Sequence, residues 1–282
     1  MILIDFHQTV IATIASMSKK DKLGMDAKLI RHTVLNTMRS YIKKFKLEYG
    51  PEIVLCFDSK HSWRKDIFPY YKITRKLHRE NSDLNWKLIF ETIDKIHDEL
   101  KNYFPYKVIG VENAEADDII ATLVKHKPES EKVVIVSSDK DFKQLQKFPN
   151  VSQYSPLLKE FLREPNHELF LREHIITGDR GDGVPNILSP DDTFAMNARQ
   201  RTISKRKLEN WLNSKIMPFD ETEKRGYDRN RTLIDLDCIP SEVDSSIMEE
   251  YNKPVKKVSK TEMLNYFMSQ KLGNLISSLE DF

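Results

Sequence analysis

Val111-Glu-Asn-Ala-Glu115-Ala-Asp117-Asp118-Ile-Ile-Ala121 and, after a spacer broken by Pro128, Val133-Val-Ile-Val-Ser-Ser-Asp139-Lys-Asp141-Phe142 decide how the chain reads. The first piece is a strand end running into an acid-loaded helix start. The second is a short apolar run, continuous as in a strand covered on both faces, with another acid pair where it stops. Glu115, Asp117, Asp118, Asp139 and Asp141 thus sit at element ends, where side chains face an open rim. Crowded carboxylates repel one another strongly unless a cation joins them. Hard divalent ions with oxygen ligands are the usual partners, so a divalent-metal site is the first expectation.

Outward from that stretch the pattern repeats. Ile2-Leu-Ile-Asp5 and Ile53-Val-Leu-Cys-Phe57-Asp58 are apolar runs closed by an acid, and Lys107–Val111 is a third strand. Between the first two, Asp26 opens a helix whose apolar positions Ile30, Val34, Met38, Tyr41 and Phe45 step by three or four before Gly50-Pro51 stops it. Asn81-Ser-Asp83 caps a second long helix carrying Trp86, Ile89, Ile93, Ile96, Leu100 and Tyr103 on one face. Strand, helix, strand with acids at the carboxyl ends is the signature of a mostly parallel α/β sheet, whose ligand crevice lies outside those ends. Val151–Tyr154 reads as a fifth strand.

Past about residue 165 the character changes. Leu169–Ile176 leads into Gly178-Asp179-Arg-Gly181-Asp182-Gly183, a glycine-rich turn whose two acids can complete a metal site from a second unit. Arg199, Arg201, Lys205, Arg206 and Lys207 form a basic patch, Leu208–Leu212 looks helical, Leu233–Leu236 strand-like and Met263–Leu279 helical. The expectation is an α/β domain over residues 1–165, with a basic segment at about 60–82, and a smaller helical domain over 166–282.

The bulk numbers narrow the class. The chain has 282 residues, 39% of them hydrophobic, and only two cysteines, which excludes a disulfide framework and points to a reducing compartment. No signal peptide and no apolar run of membrane-spanning length are visible, so a soluble cytoplasmic protein is expected. The eight histidines lack zinc-ligand spacing. A net charge of +2 conceals a separation: nine of the 43 acids belong to the candidate site, and the remaining 34 face 45 Lys and Arg, a balance of +11. An acidic pit in a basic surface suits a metal enzyme acting on a polyanion. Trp63-Arg64-Lys65 through Tyr70-Tyr71-Lys72-Ile-Thr-Arg75-Lys76-Leu-His-Arg79 mixes cations with rings, the combination that single-stranded nucleic acid binding uses.

These residues resemble the flap endonuclease/5′-nuclease superfamily, most closely its T-even bacteriophage ribonuclease H branch. Six segments carry the likeness in order: Leu-Ile-Asp5-Phe, Val-Leu-Cys-Phe-Asp58, Trp63 through Arg75, Ala-Glu115-Ala-Asp117-Asp118, Ser-Ser-Asp139-Lys-Asp141-Phe and Gly178-Asp179-Arg-Gly-Asp182. The resemblance implies two Mg²⁺ ions, replaceable by Mn²⁺. Asp5, Asp58, Glu115, Asp117 and Asp139 surround the first; Asp141, Asp179 and Asp182 hold the second, with Asp118 near either. Asp117 and Asp139 then serve catalysis, and the ions activate a water against the scissile phosphate. Lys72 and Arg75 match the cationic pair at the base of a helical arch and offset transition-state charge. Arg64, Lys65 and Arg79 contact phosphates, and Tyr71 stacks on a terminal base.

The implied activity is 5′→3′ hydrolysis of RNA–DNA hybrids, duplex DNA and flaps during primer removal. The implied partners are nucleic acid with a 5′ end, a single-strand-binding protein and a sliding clamp, with the chain a monomer that has no membrane partner. The family's helix-three-turn-helix is modified here, because Asp182-Gly-Val-Pro185-Asn-Ile-Leu-Ser-Pro190 lacks its later glycines. Arg199–Lys207 are expected to substitute in gripping duplex. A PIN-type endoribonuclease shares the acidic core but lacks Tyr71-Lys72-Ile-Thr-Arg75 and the second acid pair. A haloacid-dehalogenase-like phosphatase needs an acid where His7 stands, and a non-catalytic DNA-binding relative has no use for the intact acids.

Overall fold

Short β-branched runs buried on both faces build one sheet. In the computed structural model, which describes residues 1–18, 26–82, 84–214 and 219–282 (side chains apart from 15–18, 76–78 and 80), six strands pair in the order β3-β2-β1-β4-β5-β6. They are β1 (Ile2–Asp5), β2 (Ile53–Phe57), β3 (Lys107–Gly110), β4 (Val133–Val136), β5 (Val151–Ser155) and β6 (Glu160–Leu162). The first five run parallel, and β6 turns back antiparallel on β5. The mostly parallel α/β sheet is as expected; the edge strand β6 was not foreseen.

The helices of the first half are α1 (Phe6–Ser18), α2 (Ala27–Tyr49), α3 (Trp63–Ile67), α4 (Ile73–Glu80), α5 (Trp86–Tyr103) and α6 (Ala116–His126). The second half carries α7 (His167–Thr177), α8 (Lys205–Asn213), α9 (Glu221–Ile234), α10 (Ser241–Asn252), α11 (Lys260–Ser269) and α12 (Gly273–Ile276). Asp26 caps α2 by accepting from the Leu29 N–H at 2.7 Å. Asn85, not Asn81–Asp83, caps α5, and Asp83 lies outside the described residues, as does the side chain of Lys76. Leu233–Leu236 is no strand: α9 ends at Ile234 and a 3₁₀ turn follows, because Asp235 accepts from the Asp237 N–H and stops the helix. Between α7 and α8 the described chain runs through successive turns.

Strand alternation divides the core. Ile2 and Ile4 face one layer with α2 and α5, while Met1 and Leu3 face the other with α6. The last helices return to both layers. Phe267 of α11 sits among Phe104, Tyr266 and Phe282 on the first, and Ile247 of α10 joins the second. Among the described residues, no helix is long and apolar enough to cross a membrane.

Because Phe267 is fully buried against Phe104 and Phe282, Phe267→Ala is expected to cost about 3–5 kcal/mol in chemical denaturation. A cost below about 1 kcal/mol would make the returning helices peripheral to the fold.

Candidate metal and nucleic-acid site

The tips of β1, β2 and β4 each deliver one acid to a common rim. Asp5 ends β1 and accepts from the Gln8 N–H at 3.1 Å and the Ser137 hydroxyl at 3.0 Å, the latter just past β4. Asp58 follows β2, and its Oδ1 accepts the Ala116 N–H at 2.8 Å, which docks the start of α6. Asp139 follows β4. Its Oδ1 takes the Asp141 N–H at 3.0 Å, and Gln153 of β5 donates to its carbonyl at 2.6 Å. Asp5, Asp58, Asp117 and Asp139 line one cleft of about 280 Å³ with Lys72, Arg75 and His7. Residues 134 apart in sequence therefore share one opening.

Above this rim, buried ion pairs hold the basic segment down. Glu115 and Asp118 form a capping box at the start of α6. The Arg64 guanidinium, in a residue only 2% exposed, donates to Glu115 Oε2 at 3.2 Å and to Asp118 Oδ2 at 3.0 Å. Its Nε donates to the Leu233 carbonyl at 2.9 Å, and the Trp63 indole donates to Asp118 at 3.1 Å. The Tyr71 hydroxyl stands 2.8 Å from Glu115 and 2.9 Å from Asp182. Lys72 pairs with Glu115 and lies 3.9 Å from Asp182, while Arg75 donates to Asp182 at 2.6 Å.

The Gly178–Val184 turn reaches this network by close backbone contacts. A Cβ on Gly178, at φ 72°, would come within 2.4 Å of the Val184 carbonyl, and one on Gly183 within 2.9 Å of the Tyr70 carbonyl. The Lys72 N–H donates to the Asp182 carbonyl at 2.7 Å, in a left-handed conformation (φ 58°) that costs a non-glycine residue about 1–2 kcal/mol. That strain is held where Lys72 must point into the cleft.

The same turn sets Asp179 beside Asp141. His174, on the last turn of α7 and 5% exposed, lies between them: Nε2 is 3.0 Å from Asp179 Oδ2 and Nδ1 3.4 Å from Asp141 Oδ1. Lys140 pairs with Asp179 at 2.8 Å.

Charge balance differs sharply across the rim. Burial, then Asp58, pushes the Asp5 carboxyl up to about 7. Burial, then Asp139, raises Asp117 and Asp141 well above the ordinary range, and burial raises Asp139. Burial also opposes ionisation of Asp182 and Glu115, but the cations outweigh it: Lys72 and Arg75 hold Asp182 below its usual value, and Lys72 and Arg64 do so for Glu115. Burial and mutual repulsion therefore disfavour the ionised forms of Asp5, Asp117 and Asp139, whose hard oxygen donors a bound cation would satisfy. That donor set fits Mg²⁺ or Mn²⁺.

Several expected roles change. Asp118 is fully buried and committed to Arg64 and Trp63, so it faces neither ion position. Arg64 is enclosed by protein and does not face a phosphate. Tyr71, 4% exposed, gives its hydroxyl to carboxylates and its ring to a small apolar core, so it offers no face to a base. Lys65 is exposed, and Arg79 lies over Phe90. Arg199, Arg201, Lys205 and Arg206 are exposed, whereas Lys207 pairs with Glu223. Sequence reasoning missed His174, since a lone histidine on a helix carries no pattern.

Two predictions follow from this electrostatic layout. The raised Asp5 carboxyl binds protons in the folded state, so its contribution to stability is present near pH 4 and lost as pH rises through about 7. Asp5→Asn is thus expected to be more stable than the parent in chelator, by at least about 1 kcal/mol. The margin should widen between those pH values in thermal melts and reverse with excess Mg²⁺; a margin that narrows with pH refutes the repulsion. Arg64→Met strands two buried carboxylates, and a loss of about 3–5 kcal/mol is expected; a near-neutral result would return Arg64 to a surface role.

A model of the 5′-3′ exonuclease N-terminal resolvase-like domain matches residues 1–176, and one of the T4 RNase H C-terminal region matches residues 166–282. The chain is 36% identical to the ribonuclease H of Enterobacteria phage T4, over 99% of this chain and 95% of that protein. It is 30% identical to the flap endonuclease Xni of a Shewanella species (strain MR-4), over 59% of this chain and 62% of the relative. The fold is shared with the D15 flap endonuclease of bacteriophage T5, solved as a pseudo-enzyme-product complex with DNA and metal ions: TM-score 0.65, 18% identity, covering 89% of this chain and 99% of that one. The chain therefore belongs to the 5′-3′ exonuclease family, in the group that carries the T4 RNase H type of C-terminal region.

Proposed function

We propose that this protein is a divalent-metal-dependent 5′→3′ nuclease of the ribonuclease H and flap-endonuclease type. Its substrates are phosphodiesters at the 5′ ends of RNA–DNA hybrids, duplex DNA and flaps, and its role is RNA primer removal in DNA replication. What carries the reading is the meeting of Asp5, Asp58, Asp117 and Asp139 in one cleft beside Lys72 and Arg75. Two Mg²⁺ ions, replaceable by Mn²⁺, are the cofactors we favour: Asp5, Asp58, Asp117 and Asp139 would hold the first, Asp141 and Asp179 the second. When bound, they supply Lewis-acid stabilisation of the phosphate and lower the pKa of water.

The chain's own residues do the positioning. Arg75 is about half exposed (46%) and keeps donors free for a phosphate beyond its bond to Asp182. Lys72 is tied to Glu115. A phosphate entering the cleft would compete with Glu115 for Lys72, while Arg64 and Tyr71 keep hold of that carboxylate. Lys65, Arg199, Arg201, Lys205 and Arg206 remain the exposed cations for the nucleic-acid backbone. We place the division of labour near residue 165. A single-strand-binding protein and a sliding clamp are proposed as partners of a cytoplasmic monomer, the host's cytoplasm if a phage encodes it.

On 5′-labelled nicked, flapped and hybrid substrates, cleavage is expected only with the divalent ion. Asp139→Asn should abolish it while DNA still binds. Lys72→Ala should lower single-turnover rate by about 10²–10³-fold with little change in Kd. A Lys72 variant altered only in Kd would move that residue from chemistry to binding, and metal-independent cleavage would sink the whole reading.

A further inference from the structure

Building on the divalent-metal reading, we propose that the second ion position is a mixed imidazole–carboxylate site. Nδ1 of His174 and Asp141 are direct ligands there, so a transition ion of the Mn²⁺, Co²⁺ or Zn²⁺ class binds this position more tightly than it binds the all-oxygen first one. The chemistry begins with two buried atoms. His174 Nδ1 and Asp141 Oδ1 have no hydrogen-bond partner among the described residues, yet they stand 3.4 Å apart in the interior. A buried polar atom left unpaired costs about 1–3 kcal/mol, so two aimed at one point indicate something that binds both. Ligand bonds of about 2.0–2.2 Å in a tetrahedral arrangement separate neighbouring donor atoms by about 3.4 Å, which is the edge these two atoms already form.

The opposite side of the ring supplies the orientation. Nε2 stands 3.0 Å from Asp179 Oδ2, so its N–H donates there and the lone pair is left on Nδ1. A carboxylate behind an imidazole that faces an ion position is the arrangement that fixes tautomer and raises ligand basicity in metal sites. Asp179 itself is pinned: its Oδ1 accepts the Asp182 N–H at 3.1 Å, and Lys140 pairs with its Oδ2 at 2.8 Å. Asp179 thus holds the imidazole in place as well as offering a carboxylate, and the edge already at ligand spacing is that of Asp141 and His174. Atoms of Asp141, His174 and Asp179 suited to ligation all lie within 4.8 Å of one another. Imidazole is a poor donor for Mg²⁺, which prefers carboxylate and water, and a good one for later first-row ions. The first ion position remains all-oxygen, so the two positions differ in selectivity.

Pulsed EPR of the full chain loaded with Mn²⁺ tests this directly, because a coordinated imidazole imprints ¹⁴N modulation on the electron-spin echo. The modulation is expected in the parent protein, to change on ¹⁵N-histidine labelling, to persist in His7→Gln and to vanish in His174→Gln. Isothermal titration should show His174→Gln weakening Zn²⁺ binding at one of two positions by about tenfold or more, with Mg²⁺ binding unchanged. If Mn²⁺ binds but the parent shows no ¹⁴N modulation, the inference fails while the nuclease reading stands; His174 is then a spacer between two carboxylates. Loss of the signal in His7→Gln, beside Asp58, would overturn it equally. Failure of the parent to bind any divalent ion would overturn both. Because the parent's spectrum decides, a His174 variant that does not fold leaves the test intact.

Discussion

A buried guanidinium is the contact on which the acidic rim depends. Arg64 brings together three parts of the chain that are distant in sequence: the basic segment that carries it, the start of α6 through Glu115 and Asp118, and the end of α9 through the Leu233 carbonyl. Carboxylates gathered at one sheet edge would drive that edge apart. Two of them are neutralised permanently by Arg64, and Glu115 and Asp182 are further balanced by Lys72 and Arg75. Those pairs stabilise the rim without filling it. Asp5, Asp117 and Asp139 are left in the cleft, where burial raises their carboxyls and an added cation would offset that.

The same logic explains why the second half of the chain wraps around the first. The Gly178–Val184 turn supplies Asp179 and Asp182, and its place is set by backbone contacts too tight for a side chain at Gly178 or Gly183. Tyr71 bridges Glu115 and Asp182, and its ring packs with Ile175, Val184 and Leu233. Polar neutralisation and apolar packing thus meet in one residue. Through α10 and α11 the C-terminal helices also finish both layers over the sheet. Site and core are therefore held by the same packing, which brings together acids from both halves.

Division of the acids into committed and available groups bears on function. Glu115 holds Lys72 through Oε1 and Arg64 through Oε2, so the free protein keeps that lysine paired. The left-handed backbone of Lys72 keeps the side chain aimed at the rim. Arg75 remains partly open, and Lys65, Arg199, Arg201, Lys205 and Arg206 are exposed.

How much of this was legible in the residues depends on the range of the contact. Strands β1, β2 and β4 and the acids at their ends follow from apolar runs closed by Asp, a local pattern, and Asp26 announces α2 by its own cap. Leu233–Leu236 misled, because four apolar residues suit a strand or a buried helix end equally, and the Asp235 side chain that stops α9 decides between them. Arg64 and Tyr71 read as surface groups reaching for phosphates and bases, since a basic, aromatic, Pro-broken segment shows no apolar face. Only packing against α6 and α9 buries them, and only then is Asp118 seen to be consumed. His174 carried no signal at all: its meaning lies in Asp141, 33 residues before it, and in Asp179 across a helix cap. Sequence alone determined the chemistry, because carboxylates spaced at strand ends must share a cation. Tertiary structure decided which carboxylates are free to do so, because burial and the reach of Arg64, Lys72 and His174 are properties of three-dimensional neighbours.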